Sequence, residues 1–137
     1  MFKKFLMVVA LTFSAISVAS DAVNLTDPYK MVRQVSDNTF QRITRDQPLI
    51  EKDKEHLRVI VKEELMPYID YKYAALRVLG SHVSKVRAIK DPAEQKQAVE
   101  DIKHFIDVFQ EYLIATYAGV FTQYTNQKVE FAASKEF

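Results

Sequence analysis

Few side chains in this sequence could support catalysis or bind a metal ion. Acid–base or metal chemistry would have to be built around three histidines, His56, His82 and His104. His104 follows Glu100 by four residues and Asp101 by three, and such spacings place side chains on one helix face. A metal site would need at least a third ligand, and the sequence has no second pair with this spacing. We therefore expect no metal site, no cofactor and a solvated helix surface around His104.

Motifs of nucleophilic and nucleotide-dependent catalysis are missing as well. The chain has two glycines and no cysteine, and it contains no G-x-S-x-G, P-loop or dinucleotide-binding motif. Disulfides and thiolate zinc sites are impossible without cysteine. Scattered Asp and Glu leave a hydrolytic dyad open, but no spacing favours one. The sequence predicts a protein that is not an enzyme and has no catalytic residues.

The amino terminus has the pattern of a secretory signal peptide. Lys3 and Lys4 precede an uncharged run from Phe5 to Val18, and small residues follow. This order of basic, apolar and small residues predicts a cleavable signal at residues 1–20, with an uncleaved anchor as the alternative. Removing it leaves 17 basic and 18 acidic side chains. This balance does not provide the basic surface that nucleic acid binding requires.

The remaining residues, 21–137, are expected to be mainly α-helical, because they combine few Gly and Pro residues with many apolar ones. Capping signals and apolar spacing predict four helices. They cover residues 28–45, a segment from about 57 that stops at Pro67, residues 71–79 between Asp70 and Gly80, and residues 92–126 with a bend near Gly119. The alternation at 128–131 predicts one terminal strand.

Two features do not fit a plain helical surface. Glu64 falls on the apolar side of the second helix, where we expect it to reach solvent or pair with a residue such as Arg77, with a functional role as the alternative. The chain has nine phenylalanines and seven tyrosines, and those after the predicted signal peptide concentrate around Pro67 and along the last helix. Such stripes build either a core or the walls of an apolar pocket, and sequence does not separate the two.

Three segments together resemble the MlaC family, also called the toluene-tolerance family, of Gram-negative bacteria. They are Asp27-Pro28-Tyr29, the segment LRVIVKEELMPYIDYKYAALRVLG at 57–80, and the FxxxLxxxY pattern that starts at Phe109. The resemblance covers nearly all of residues 21–137. It departs from the family in a longer Gly80–Phe109 spacing. The family also continues beyond the strand into an antiparallel sheet and further helices, so we expect residues 21–137 to be a truncated, amino-terminal part of one such domain.

The resemblance implies an α+β fold with helices packed on a sheet and a lipid pocket between the two layers. It implies a periplasmic shuttle that carries phospholipid between the outer-membrane lipoprotein MlaA and an inner-membrane ABC transporter with its periplasmic substrate-binding subunit. This transport would maintain outer-membrane lipid asymmetry, with little recognition of the head group. The lipid-pocket candidates, expected to face one apolar interior, are Leu65, Ile69, Tyr73, Leu76, Phe109, Leu113, Tyr117 and Phe121.

Two other classes of function remain open at this point. A periplasmic helical adapter or chaperone would use the same amphipathic helices on a protein partner, without lipid. A secreted hydrolase is the third possibility.

Overall fold

The computed structural model describes residues 22–127 and 129–133, and the predicted signal peptide lies outside them. The described chain is mainly helical, as predicted. Its α-helices are α1 (Pro28–Arg45), α2 (Gln47–Lys52), α3 (His56–Ile60), α4 (Tyr71–Leu79), α5 (Ser81–Arg87) and α6 (Pro92–Phe121). A π-helical segment, Val61–Leu65, and a 3₁₀ turn, Met66–Tyr68, join α3 to α4. None of the helices in these ranges is both long and apolar enough to cross a membrane.

Helix α1 has the predicted bounds because its start is encoded locally. The Asp27 carboxylate accepts hydrogen bonds from the backbone N–H groups of Tyr29 (3.0 Å) and Lys30 (3.1 Å). These bonds satisfy donors that the first turn leaves unpaired, and Pro28 has no N–H to satisfy. The sequence predicted no helix directly after residue 45, but Gln47 and Pro48 begin α2. A proline is tolerated in the first turn of a helix.

The corner around Pro67 separates two helices, as the sequence predicted. Pro67 lies inside the 3₁₀ turn, after which Ile69 is extended (φ −109°, ψ 121°). The Asp70 carboxylate then accepts from the Tyr73 N–H at 3.0 Å and starts α4. Gly80 ends α4 with φ 53°, a backbone conformation in which a side chain would be strained.

The carboxy-terminal part differs from the prediction in two places. Helix α6 starts at the Asp91 cap, whose carboxylate accepts from Glu94 N–H at 2.8 Å, but it continues through Gly119 and ends at Phe121, before Asn126. The predicted strand is also not found, because residues 129–131 are not in a strand and Lys128 lies outside the described residues. A strand needs a neighbour for its backbone hydrogen bonds, and residues 22–127 provide no other strand.

The core lies where α1, α3, the π-helical segment and α6 meet. Its most deeply buried side chains are Ile43, Leu57, Ile60, Val61 and Ile114, each at most 2% exposed. Helices α4 and α5 pack along α6. This arrangement fixes the amino-terminal half of α1, the Pro67 corner and the end of α6 around a common space.

Candidate functional site

The common space is an apolar cleft with a volume of about 450 Å³, which we call the main cleft. Small-molecule sites typically enclose ~300–1,000 Å³. No charged side chain of the described residues contributes to its lining. The lining residues are Met31, Val32, Val35, Ser36, Thr39, Phe40, Leu65, Tyr68, Ile69, Tyr117, Val120, Phe121 and Phe131.

Helix α1 supplies one wall of the main cleft and keeps it apolar. Val35 is buried and Val32 is 53% exposed, so this wall runs from the core to solvent. Thr39 is buried with its hydroxyl donating to the Val35 carbonyl oxygen at 2.7 Å. Because that bond satisfies the hydroxyl within the helix, Thr39 adds no unpaired polar group to the wall.

The end of α6 supplies the opposite wall. Tyr117 and Val120 are 37% and 57% exposed, so the cleft is open to solvent on this side. Phe40 of α1 holds the two walls together, because its ring meets Phe121 edge-on at 5.6 Å and Tyr124 at 4.7 Å between centroids. Aromatic pairs at such distances typically add about 0.5–1.5 kcal/mol beyond the area that they bury.

A second apolar cleft, also of about 450 Å³, adjoins the first, and we call it the tail cleft. The two clefts share Val32 and Phe131. The Arg33 guanidinium lies 5.0 Å from the centroid of the Phe131 ring, within the range of a cation–π contact. Arg33 is the one charged side chain among the described residues that line either cleft. The tail cleft is lined by Pro28, Tyr29, Val32, Arg33, Phe131 and Ala132.

The carboxy-terminal end of α1 belongs to an ionic network, and the residues of that network line neither the main cleft nor the tail cleft. Arg42 contacts the carboxylates of Glu63 (2.6 Å), Glu64 (2.8 Å) and Asp46 (3.4 Å). Asp46 also contacts Arg45 (2.9 Å) and His56 Nε2 (3.0 Å). Glu64 is therefore paired within the fold, as we expected.

Glu64 pairs with Arg42 of α1. The sequence had suggested Arg77 as a possible partner, and that suggestion was wrong. Arg77 follows Glu64 closely along the chain but belongs to α4, beyond the Pro67 corner. The ion pair instead joins α1 to the π-helical segment, so it stabilises tertiary packing.

The network shifts the pKa values of two of its members. Burial alone would raise the pKa of Asp46, but hydrogen bonds from Arg45, His56 and Arg42 outweigh burial and lower it to about 2. Burial likewise opposes the charge of Arg42, and hydrogen bonds to Glu64 and Glu63 outweigh it and raise the pKa of Arg42 above its usual value. Both groups are held in their charged forms, which fits an ion-pair junction and not an acid or base that exchanges protons near neutral pH.

Metal-binding chemistry finds no support in the described ranges, 22–127 and 129–133. No three His, Asp or Glu side chains there lie close enough to hold a metal ion. His56 belongs to the ionic network, and His104 is exposed on α6.

Four of the eight candidate pocket residues come together in the main cleft. They are Leu65 and Ile69 from the Pro67 corner and Tyr117 and Phe121 from α6. All four are at least partly exposed in the described structure, as the wall of an open binding site must be.

The other four candidates do not line the main cleft. Tyr73 and Leu76 are 61% and 37% exposed on α4, where Ala75 is the buried residue. Leu113 packs against the core, and Phe109 lies 6.0 Å from Phe105 along α6. The Pro67 corner thus turns the apolar side of α4 away from the cleft, which helical spacing within each element could not reveal.

The contribution of α1 to the main cleft was not predicted from the sequence. Met31, Val32, Val35 and Thr39 all line the main cleft, and none was among the candidates. A signal did exist, because Val32 and Val35 follow helical spacing on one apolar side of α1. Spacing does not separate a core side chain from a cleft wall, and only the structure shows that the amino-terminal half of this side stays open.

The chain is similar to known proteins over most of its length. A family model described as "MlaC protein" matches residues 33–137. The "Intermembrane phospholipid transport system binding protein MlaC" of Haemophilus influenzae is 32% identical over 134 residues. The match covers 98% of this chain but 58% of that relative, so the chain spans little more than half of the relative's length. No solved structure matches. The family match and this identity establish that the chain belongs to the MlaC family.

Proposed function

We propose that this chain forms the helical wall of a phospholipid-binding pocket in a periplasmic carrier protein. The observation that carries the proposal is the main cleft, an uncharged, solvent-open space of about 450 Å³. The Haemophilus influenzae relative is named as a phospholipid transport system binding protein, which supports the choice of ligand.

The physical need for a carrier follows from the hydrophobic effect. A free diacyl lipid exposes roughly 30 methylene groups, and at about 0.8 kcal/mol each their exposure to water costs on the order of 20 kcal/mol. A protein that covers the chains lowers this barrier without making or breaking a covalent bond. The proposed activity is therefore binding and transfer, and not catalysis.

Acyl-chain contacts are proposed for the four candidates that the fold brings together, Leu65, Ile69, Tyr117 and Phe121. The wall of α1 completes this set through Val32 and Val35. Tyr73, Leu76, Phe109 and Leu113 would contribute only if the lipid extends beyond the main cleft.

The proposed route places the protein in the periplasm, where it exchanges phospholipid with the MlaA lipoprotein complex of the outer membrane. Its other partner would be an inner-membrane ABC transporter with a periplasmic substrate-binding subunit. Such exchange would maintain outer-membrane lipid asymmetry.

A helical adapter is the second candidate function, and one observation favours it. Tyr73, Val78, Val108 and Tyr112 are each more than half exposed on α4 and α6, and exposed apolar side chains of this kind also occur at protein interfaces. An adapter would use this surface and leave the main cleft without lipid.

Denaturing extraction of the purified protein followed by lipid mass spectrometry separates the two functions. A carrier should yield phospholipid in a near-stoichiometric amount. Protein that contains no phospholipid, and that takes up none from phospholipid vesicles, would contradict the carrier and leave the adapter.

A further inference from the structure

Arg33 is placed where an amphipathic ligand changes from apolar to charged. It lines the tail cleft beside Val32 and Phe131, the two residues that the tail cleft shares with the uncharged main cleft. An acyl chain in the main cleft would therefore have a cation at its border. No other charged side chain among residues 22–127 and 129–133 lines either cleft.

The guanidinium of Arg33 is also available for a ligand. Its contact in the described structure is the face of the Phe131 ring. No carboxylate of the described residues lies within ion-pair distance of it, although Asp37 follows one turn later on α1. The other two arginines of that helix, Arg42 and Arg45, both contact carboxylates. An anion could therefore bind Arg33 without the free-energy cost of breaking an existing ion pair within the protein.

The chemistry of a phospholipid matches this arrangement. Its phosphate is joined through glycerol to the acyl chains, so a chain held in an apolar cleft keeps the phosphate near the rim. A guanidinium offers paired N–H donors that fit two phosphate oxygens at once. We propose that Arg33 binds the head-group phosphate of the lipid at the border of the two clefts. The inference rests on the proposed function and refines it, since the family resemblance implied little head-group recognition.

The test compares a phospholipid with the same lipid lacking its phosphate. Dihexanoyl phosphatidylglycerol, dihexanoylglycerol and inorganic phosphate are titrated into the protein by isothermal titration calorimetry. Arg33→Gln should weaken phosphatidylglycerol binding about tenfold, the size of a charge-assisted hydrogen bond, and leave dihexanoylglycerol binding unchanged. Arg33→Lys should restore part of the loss.

Lys30→Gln is the matched control, because it removes one positive charge from the same helix. Lys30 is exposed, pairs weakly with Asp27 at 3.8 Å and lines neither cleft. Its substitution should leave the affinity for both lipids unchanged. An equal loss in Arg33→Gln and Lys30→Gln would reduce the effect to overall charge and overturn the inference.

The remaining outcomes separate the inference from the proposed function. Unchanged phosphatidylglycerol affinity in Arg33→Gln, or equal weakening of both lipids, overturns the role of Arg33 and leaves the carrier intact. Inorganic phosphate that binds as tightly as the phospholipid, and loses affinity in Arg33→Gln, would show a free-phosphate site instead of a head-group site. Failure of the unmodified protein to bind either lipid overturns the carrier and the inference together.

Discussion

Helix α1 presents two arginines in opposite settings. Arg42 is 17% exposed in its side chain and contacts Asp46, Glu63 and Glu64. Arg33 lies nine residues earlier, about 13 Å along the axis, where it is exposed beside two apolar clefts and faces the Phe131 ring. One end of the helix is thus fixed by ion pairs, and the other is left open beside apolar surface. The difference supports a division in which the ion-paired end of α1 stabilises the fold and the other end, as proposed above, contacts the ligand.

The largest effect on stability should come from the ion-paired end of α1, around Arg42. Arg42→Ala leaves three carboxylates without their shared cation, and Asp46 and Glu64 are mostly buried. Breaking a buried pair from one side typically costs 3–5 kcal/mol, and partial exposure places this case at about 3 kcal/mol. Urea unfolding followed by circular dichroism measures the loss.

Arg45→Ala is the control for that substitution. Arg45 also contacts Asp46, but its side chain is 62% exposed and Asp46 keeps Arg42 and His56 as partners without it, so the loss should be about 1 kcal/mol. Equal losses in the Arg42 and Arg45 variants would contradict the division between the two ends of α1.

The second-largest effect on stability should come from acid, which weakens the ion pairs around Asp46. The folded-state pKa of Asp46 is about 2, below the value of about 4 expected in the unfolded chain. Its contribution to stability is therefore fully present above pH 4 and is lost as the pH falls toward 2. The linked free energy is about 2 kcal/mol.

Comparison with Asp46→Asn isolates this contribution from other carboxylates. The stability difference between the unmodified protein and the variant should shrink by about 2 kcal/mol between pH 4 and pH 2. Urea unfolding at each pH provides the measurement. A difference that is the same at pH 7 and pH 2 would show that the ionised form of Asp46 is not what stabilises the junction.

The sequence predicted those elements whose ends are encoded locally. The carboxylates of Asp27, Asp70 and Asp91 each accept a backbone N–H of the following turn, and α1, α4 and α6 begin where these caps predicted. Capping depends on a few neighbouring residues, so a single sequence is enough to recognise it.

The elements and contacts that depend on tertiary packing were not predictable in the same way. The π-helical segment Val61–Leu65 was read as ordinary helix, although Val61 is fully buried there and Glu64 pairs with Arg42 of α1. For the same reason, only four of the eight candidate residues line the main cleft. Apolar spacing identified Leu65 and Tyr117 as inward-facing, but the direction in which the Pro67 corner turns α4 is not a property of spacing.

The open end of α1 is best tested by charging the main cleft. Val120 lines it and is 57% exposed, so Val120→Glu should fold normally while placing a carboxylate against the acyl chain. Phospholipid affinity should fall at least about tenfold, because burying an unpaired charge costs more than the 1.4 kcal/mol which that factor represents.

Val108→Glu is the matched control, since Val108 lies on the same helix, is 52% exposed and does not line the main cleft. It should bind phospholipid like the unmodified protein. If the Val108 variant lost as much affinity as the Val120 variant, the binding surface would be the exposed face of α4 and α6 and not the main cleft.

The smallest expected effect is the contact between Arg33 and Phe131. The two groups lie 5.0 Å apart at an exposed site, where a cation–π interaction contributes about 0.5–1 kcal/mol. A double-mutant cycle of Arg33→Gln and Phe131→Leu, read by urea unfolding, should give a coupling energy of about 0.5 kcal/mol. Leucine keeps an apolar side chain between the clefts and removes only the aromatic face.

A bound phosphatidylglycerol phosphate would compete for the guanidinium, so the coupling should fall toward zero when the cycle is repeated with saturating lipid. A coupling of 2 kcal/mol or more, unchanged by the lipid, would mean that Arg33 is held as firmly as Arg42, and the contrast between the two ends of α1 would be wrong.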